Sequence, residues 1–245
     1  MPTPADLLRA AARPDPGRPF VTFYDDASGE RIELSYATFD NWVAKTANML
    51  VEDLAARPGE RVALLLPTHW QTVVWYVACW TAGVVAVPGA DPAGTDHVVA
   101  DPAGLAAAQR CPGERVLVPM RPFGRPALEV PPGVFDYAAE VPAYGDQFAP
   151  YAVVTDAMPA LERDGAVLTG AGVVAAGLAA AERWGLAAGD RVLAAGDLGT
   201  ADGLLAGLLG PLAAGASVVL CRNLDPAALD RRVATERVTR ALAGA

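Results

Sequence analysis

The amino-acid sequence predicts an α/β fold, a mainly parallel sheet or sheets with helices on both faces. Three observations carry that expectation. A helix-to-strand junction occurs three times, as Pro58-Gly59-Glu60-Arg61-Val62, Pro112-Gly113-Glu114-Arg115-Val116 and Ala188-Gly189-Asp190-Arg191-Val192. The runs that follow (62–66, 116–118 and 192–195) are apolar without polar alternation, as in strands covered on both faces. Helix-like segments precede each junction, and returns of this kind build parallel sheets. The junction glycine is expected to take the left-handed conformation that ends a helix at little cost. The spacing between junctions is irregular, so no solenoid repeat is read.

The elements follow in order. A short helix over 5–12 is expected first. Strands at 20–24 and 31–34 flank Asp25-Asp26-Ala27-Ser28-Gly29, a turn composition that predicts a hairpin. Ser35 can cap a long helix to about residue 56, with Phe39, Val43, Thr46, Leu50 and Leu54 at helical spacing. Strand 62–66, helix 70–81, strand 84–87, helix 101–110 and strand 116–118 come next. From 119 to 150, Pro119, Pro122, Pro126, Pro131, Pro132, Pro142 and Pro150 break any long element, which predicts a surface excursion. Beyond it lie strand 152–155, helix 172–184, strand 192–195, helix 201–213, strand 217–220 and helix 226–235. The chain reads as one α/β domain over 1–245, with subdomains 1–118 and 151–245 joined by the excursion.

Composition excludes several functions. Of 245 residues 53% are hydrophobic and the formal net charge is −9, which opposes both nucleic-acid binding and a basic membrane-surface patch. Lys45 is the only lysine, so a lysine-based step has one candidate. Cys79, Cys111 and Cys221 lie far apart, and His69 and His97 are not at ligand spacing, so neither disulfides nor a metal site are expected. The first residues lack a signal-peptide pattern, and the longest apolar run is broken by Gly83 and Pro88. A cytoplasmic protein is the expectation.

Local motifs are sparse. Gly196-Asp197-Leu198-Gly199-Thr200-Ala201-Asp202-Gly203 lies between a strand and a helix, where backbone N–H groups can cradle phosphate. Asp197 and Asp202 oppose an anion there, and the preferred reading is a glycine-eased turn with Asp202 capping the helix. Asp25, Asp26 and Glu30 read as solvated turn residues. His69 follows a strand end, the edge where α/β sheets bind ligands, and also suits a helix start. Trp70, Trp75, Tyr76 and Trp80 share one helix and read as core. No serine sits in a nucleophile elbow.

Read together, several stretches resemble the adenylate-forming superfamily of acyl-CoA synthetases, peptide-synthetase adenylation domains and luciferases. Pro58-Gly59-Glu60-Arg61-Val62-Ala63-Leu64-Leu65-Leu66-Pro67 resembles the family's "pGDrVaillpN". Trp80-Thr81-Ala82-Gly83-Val84-Val85-Ala86-Val87-Pro88 resembles "lkaGavvvPl", and 186–220 resembles "lgpgDrvL…gLlaglLapLlaGatvvl". The matches keep the family's order over most of the chain, while 91–150 matches poorly. The resemblance implies the N-terminal part of the adenylate-forming fold.

The departures shape the function that the resemblance implies. The family's T-S-G-T-T-G-x-P-K-G loop wraps ATP phosphates shortly before an "LTH". The stretch set against it here is Thr155-Asp156-Ala157-Met158-Pro159-Ala160-Leu161-Glu162-Arg163-Asp164, then Leu168-Thr169-Gly170. Its length is expected to be nearly preserved and its chemistry erased, with Asp156, Glu162 and Asp164 facing the phosphate position and Arg163 near the family's lysine. The sequence ends before the Y-G-x-T-E motif and the C-terminal catalytic lysine, and Lys45 cannot be that lysine by position. This resembles a truncated, degenerate member of a type associated with actinobacterial genomes.

The expectation is therefore a non-catalytic pseudoenzyme with a partner-binding or regulatory role, acting with an unknown protein partner or by self-association. One alternative is a domain that binds an acyl, CoA or nucleotide ligand; another is a residual enzyme completed by a second chain. No catalytic residue and no metal are assigned. The candidate cofactor-binding residues are Thr155, Arg163, Thr169 and His69, with ATP/AMP or CoA possible by resemblance alone.

Overall fold

The computed structural model describes residues 1–242, so the sequence end at Ala245 lies outside the described residues. Helix α1 (Pro4–Ala12) opens on Thr3 and Asp6, each side chain accepting the other's backbone N–H. Strands β1 (Pro19–Asp25) and β2 (Glu30–Ser35) form the expected antiparallel hairpin. Ser35 Oγ accepts the Thr38 N–H at 3.1 Å and starts α2 (Tyr36–Glu52). The helix stops short of residue 56, and Ala55 takes a left-handed backbone with φ 50°.

The chain continues through β3 (Arg61–Leu65), α3 (Trp70–Ala82), β4 (Val85–Pro88), β5 (His97–Ala100), α4 (Leu105–Ala108), β6 (Arg115–Leu117), β7 (Phe135–Asp136) and α5 (Tyr137–Glu140). Strands β8 (Pro159–Arg163) and β9 (Ala166–Thr169) precede α6 (Gly170–Trp184) and β10 (Arg191–Ala194). Helix α7 (Ala201–Leu204) runs through a π-helical stretch, Leu205–Leu209, into α8 (Gly210–Ala214). Strand β11 (Ser217–Arg222), α9 (Leu229–Thr235) and β12 (Arg240–Leu242) end the described chain.

These elements form two compact units, each with its own sheet. The first holds 41–67 and 74–170; the second holds 2–40, 68–73 and the chain from 171 onward. In the first unit seven strands run in the order β7-β6-β5-β3-β4-β8-β9, all parallel except β9. In the second, five strands run β12-β10-β11-β1-β2, with only β2 antiparallel. The α/β class with mainly parallel sheets is therefore the observed one. In the second unit, Leu193, Val219 and Cys221 carry Leu229 and Val233 of α9 on one face. A Cβ at Gly207 would stand 3.1 Å from Leu220, so the π-helical stretch lies close against the opposite face.

The repeated junction works differently from the expectation. Gly59 has φ 87°, but neither Gly113 nor Gly189 has a positive φ. The glycines that follow helices in a left-handed conformation are Gly83, Gly185 and Gly215. What recurs at two junctions is a turn closed by its own acid. Glu60 Oε2 accepts the Arg57 N–H, and Asp190 Oδ2 accepts the Ala187 N–H, each at 2.8 Å.

Other differences have local causes. The segment 152–155 is not a strand, because β8 takes the sheet position beside β4, with Ala86 paired to Leu161. Tyr151 and Val153 are left 86% and 83% exposed. The helix predicted over 101–110 is only α4, and β5, β7, β8, β9 and β12 are additional strands of five residues or fewer. Trp70, Trp75, Tyr76 and Trp80 are buried, as a helix apolar on all sides requires.

The excursion is anchored to α2. Lys45 Nζ pairs with Asp146 at 2.9 Å and donates to the Pro142 and Tyr144 carbonyls. Asn48 Nδ2 donates to the Gly145 and Gln147 carbonyls at 3.1 and 3.0 Å. Lys45→Met is expected to free residues 142–147 while leaving the core intact. Limited proteolysis should then cut within this segment several-fold faster, with cleavage elsewhere unchanged.

Candidate functional site

Where the sequence comparison placed a phosphate-wrapping loop, the first unit has a tight hairpin. Arg163 pairs directly with Ala166, and only Asp164 and Gly165 lie between the strands. Both take positive φ, 51° and 77°, the conformation of a two-residue hairpin turn that suits an Asp-Gly pair. Within the stretch set against that loop, residues 159–163 are strand and Asp164-Gly165 alone forms the turn into β9.

The acids of this segment are also disposed differently from the expectation. Glu162 receives Nε and Nη2 of Arg61 at 2.9 and 2.6 Å, and Asp156 accepts from the Met1 amino group at 2.7 Å. Only Asp164 is openly exposed, at 87% of its side chain, with Arg163 Nε 3.4 Å away.

Of the candidate residues, Arg163 and Thr169 stand at opposite ends of the β8–β9 hairpin. Thr169 pairs with Pro159 at the end of the hairpin away from the turn, while Arg163 adjoins the turn about 13 Å along the strand. The Thr155 carbonyl accepts the Met158 N–H at 3.2 Å, within the segment that leads into β8. His69 belongs to the second unit.

At the carboxyl edge of the second unit's sheet, the turn at 196–203 is closed on itself. Thr68 Oγ1 accepts the Leu198 N–H and donates to the Gly196 carbonyl, both at 3.1 Å. Asp197 Oδ1 accepts from Gly199 N–H at 2.9 Å, the Asp197 carbonyl from Thr200 N–H at 2.9 Å, and Thr200 Oγ1 from Gly203 N–H at 3.1 Å. These donors are spent internally rather than aimed at an anion. The helix cap is Thr200, not Asp202.

The same edge carries a buried polar group that the sequence reading treated as solvated. Asp25 and Glu30 are 9% and 8% exposed, and Asp26 is ion-paired to Arg232 at 2.5 Å. Asp25 accepts from Asn223 Nδ2 at 2.8 Å, Ala27 N–H at 3.0 Å and Ser28 Oγ at 3.0 Å. Glu30 Oε2 stands 3.6 Å from His69 Nε2, beyond hydrogen-bond length, and Glu30 Oε1 has no partner among the described residues. Burial holds the His69 pKa below the usual 6.5, against the opposing pull of Glu30. Sequence reasoning found His69 but not Glu30, because a hairpin-turn carboxylate gives no local sign of burial.

The two-sheet α/β architecture is that of the N-terminal part of acyl-CoA synthetases. It superposes on a Brucella canis acyl-CoA synthetase with a TM-score of 0.80 at 21% identity, covering 98% of this chain and 47% of that one. A benzoate CoA ligase from Burkholderia xenovorans gives 0.74 at 21% identity, covering 98% and 50%. The model of the AMP-binding enzyme family matches residues 8–101. A "TIGR03089 family protein" of Mycobacterium tuberculosis is 44% identical over 243 residues, 96% of each chain. A feruloyl-CoA synthase of Amycolatopsis is 32% identical over 212 residues, 84% of this chain and 42% of that enzyme. The chain belongs to the adenylate-forming superfamily and, within it, to the TIGR03089 family. It spans about half the length of the synthase and ligase relatives it matches.

Proposed function

We propose that this protein is a non-catalytic AMP-binding-enzyme-like domain with a partner-binding or regulatory role. The observation that carries the reading is the two-residue turn at Asp164-Gly165, where the family's phosphate-wrapping loop would lie. Backbone N–H groups and hydroxyls that gather around phosphates supply large electrostatic stabilisation in phosphate chemistry, and a two-residue turn has too few. The internally closed turn at 196–203 offers no substitute. Exposed Leu128, Tyr151, Val153 and Val167 supply apolar surface of the kind that partners cover.

The test is ATP–pyrophosphate exchange by the purified protein with ferulate, benzoate and a series of fatty acids. No exchange above the protein-free background is expected; robust exchange with any acid overturns the reading. A second reading, a domain binding an acyl, CoA or nucleotide ligand, is favoured by the buried Glu30 oxygen at the sheet's carboxyl edge, which has no partner among the described residues. Thermal shifts with ATP·Mg, AMP, CoA and acyl-CoAs separate the two, because a ligand that binds only the folded state raises the melting temperature with concentration.

A further inference from the structure

His69 closes the N-terminus of α3, and it does so through a ring nitrogen. Its carbonyl accepts the Val73 N–H at 3.3 Å, the first bond of the helix. Its Nδ1 accepts the Gln71 N–H at 3.2 Å. Such caps are normally made by oxygen acceptors that persist across neutral pH. An imidazole nitrogen accepts only while it is unprotonated. Because Nδ1 accepts, the proton of the neutral ring resides on Nε2, the atom facing Glu30.

Three charged groups act on this ring from the packed strands: Glu30 of β2, Asp25 of β1 and Arg222 of β11. The edge of the ring also meets Phe23, with centroids 4.5 Å apart, and the side chain is only 3% exposed. Glu30 and Asp25 favour a charged ring. Burial, Arg222 and the positive end of α3 oppose it, and burial is the largest influence.

We propose that His69 is an acid-sensitive cap, and that proton uptake at its Nδ1 opens the first turn of α3. One proton from solvent forms the Nδ1–H bond, and the hydrogen bond from Gln71 N–H is lost. The Gln71 donor is then unsatisfied, and a positive charge stands on the positive end of the helix. The pKa is lower in the folded chain than the 6.5 of an unfolded one. Stability from the neutral cap is therefore complete above about 6.5 and is lost as pH falls from there through the folded value.

Hydrogen-exchange protection of the amides at 71–73 in the whole chain, followed from about pH 7.5 to about pH 5, tests this. Protection factors there are expected to fall on the order of tenfold more than those at 78–82. His69→Asn, whose side-chain oxygen caps without titrating, is expected to abolish that difference. A flat wild-type profile, or the same selective fall in His69→Asn, overturns the proposal. Should His69→Asn not fold, the imidazole resonances of the wild type decide, with His97→Gln separating the two histidines. A neutral Nε2–H ring at the upper pH, whose protonation tracks loss of the Gln71 amide protection, is expected. A ring already protonated at Nδ1 at the upper pH overturns the proposal.

Discussion

Glu236→Ala is expected to destabilise the second unit by about 3–5 kcal/mol, the cost of breaking a buried charge network at its centre. Only 4% of the Glu236 side chain is exposed. Its Oε2 receives Arg191 Nη2 at 2.5 Å, and its Oε1 receives Arg31 Nε and Nη2 at 3.1 and 3.0 Å and the Tyr24 hydroxyl at 2.5 Å. Arg191 Nη2 also donates to Thr22 Oγ1 at 2.8 Å, so one carboxylate links the segment after α9 to β1, β2 and β10. Removing it leaves Arg191, whose side chain is 15% exposed, and Arg31, which is 44% exposed, with Glu33 as their remaining carboxylate, at 3.2 and 3.0 Å.

The same residue gives the protein an acid limb. Burial alone would raise the Glu236 pKa, but the bonds from Tyr24, Arg191 and Arg31 outweigh it and hold the carboxyl below its usual 4.5. A folded pKa below the unfolded one means that the unfolded chain binds the proton first. The stabilisation is therefore whole above about 4.5 and is lost as pH falls through the folded value. Chemical denaturation at several pH values should show a smaller loss for Glu236→Gln than for Glu236→Ala, and a flatter acid limb for both. An unchanged unfolding midpoint in Glu236→Ala would refute the network's role.

None of this network was visible in the sequence, and the reason is general to the chain. Arg31, Arg191 and Glu236 are up to 205 positions apart and meet only through strand order, which periodicity does not encode. What periodicity does encode was readable. The parallel strands β3, β6 and β10 follow the repeated junction, and α3 shows its burial in Trp75, Tyr76 and Trp80. Short elements were not readable. β5 has only four residues between two Asp-Pro-Ala-Gly turns, and Tyr151-Ala152-Val153-Val154 has strand composition yet lies outside the sheet position that Leu161 occupies.

The candidate site divides along the same line. The departures of 155–164 from the family's phosphate-loop pattern are legible residue by residue. Comparison of 155–164 with the family motif does not reveal that Asp164-Gly165 joins two strands as a hairpin. A two-residue Asp-Gly between Ala160-Leu161-Glu162-Arg163 and Ala166-Val167-Leu168-Thr169 is itself a hairpin signal, and it was the available clue. His69 was identifiable as a helix start from its place before an apolar run, whereas its distance to Glu30 depends on the β1–β2 hairpin folding back.

Gly203→Ala is the second large effect expected, and Gly199→Ala in the same turn is its control. A Cβ at Gly203 would stand 1.9 Å from the Asp197 carbonyl oxygen, 2.5 Å from its carbon and 2.9 Å from its nitrogen. All three are backbone atoms, so the turn itself must move. Moving it breaks the bonds that the Asp197 carbonyl accepts from Thr200 N–H and Oγ1, and disturbs the Thr68 hydroxyl bridge to Gly196 and Leu198. Steric overlap of that kind, with loss of buried hydrogen bonds, is expected to cost about 3 kcal/mol or more. At Gly199 the nearest atom is Asp197 Oδ1 at 3.3 Å, a side-chain oxygen that can rotate away, and neither glycine has a positive φ. Gly199→Ala is therefore expected to shift stability by no more than about 0.5–1 kcal/mol. Urea denaturation of the two variants checks the contrast. Equal losses at both positions would mean that the turn yields as a whole and that its closed bonding does not hold the carboxyl edge in place.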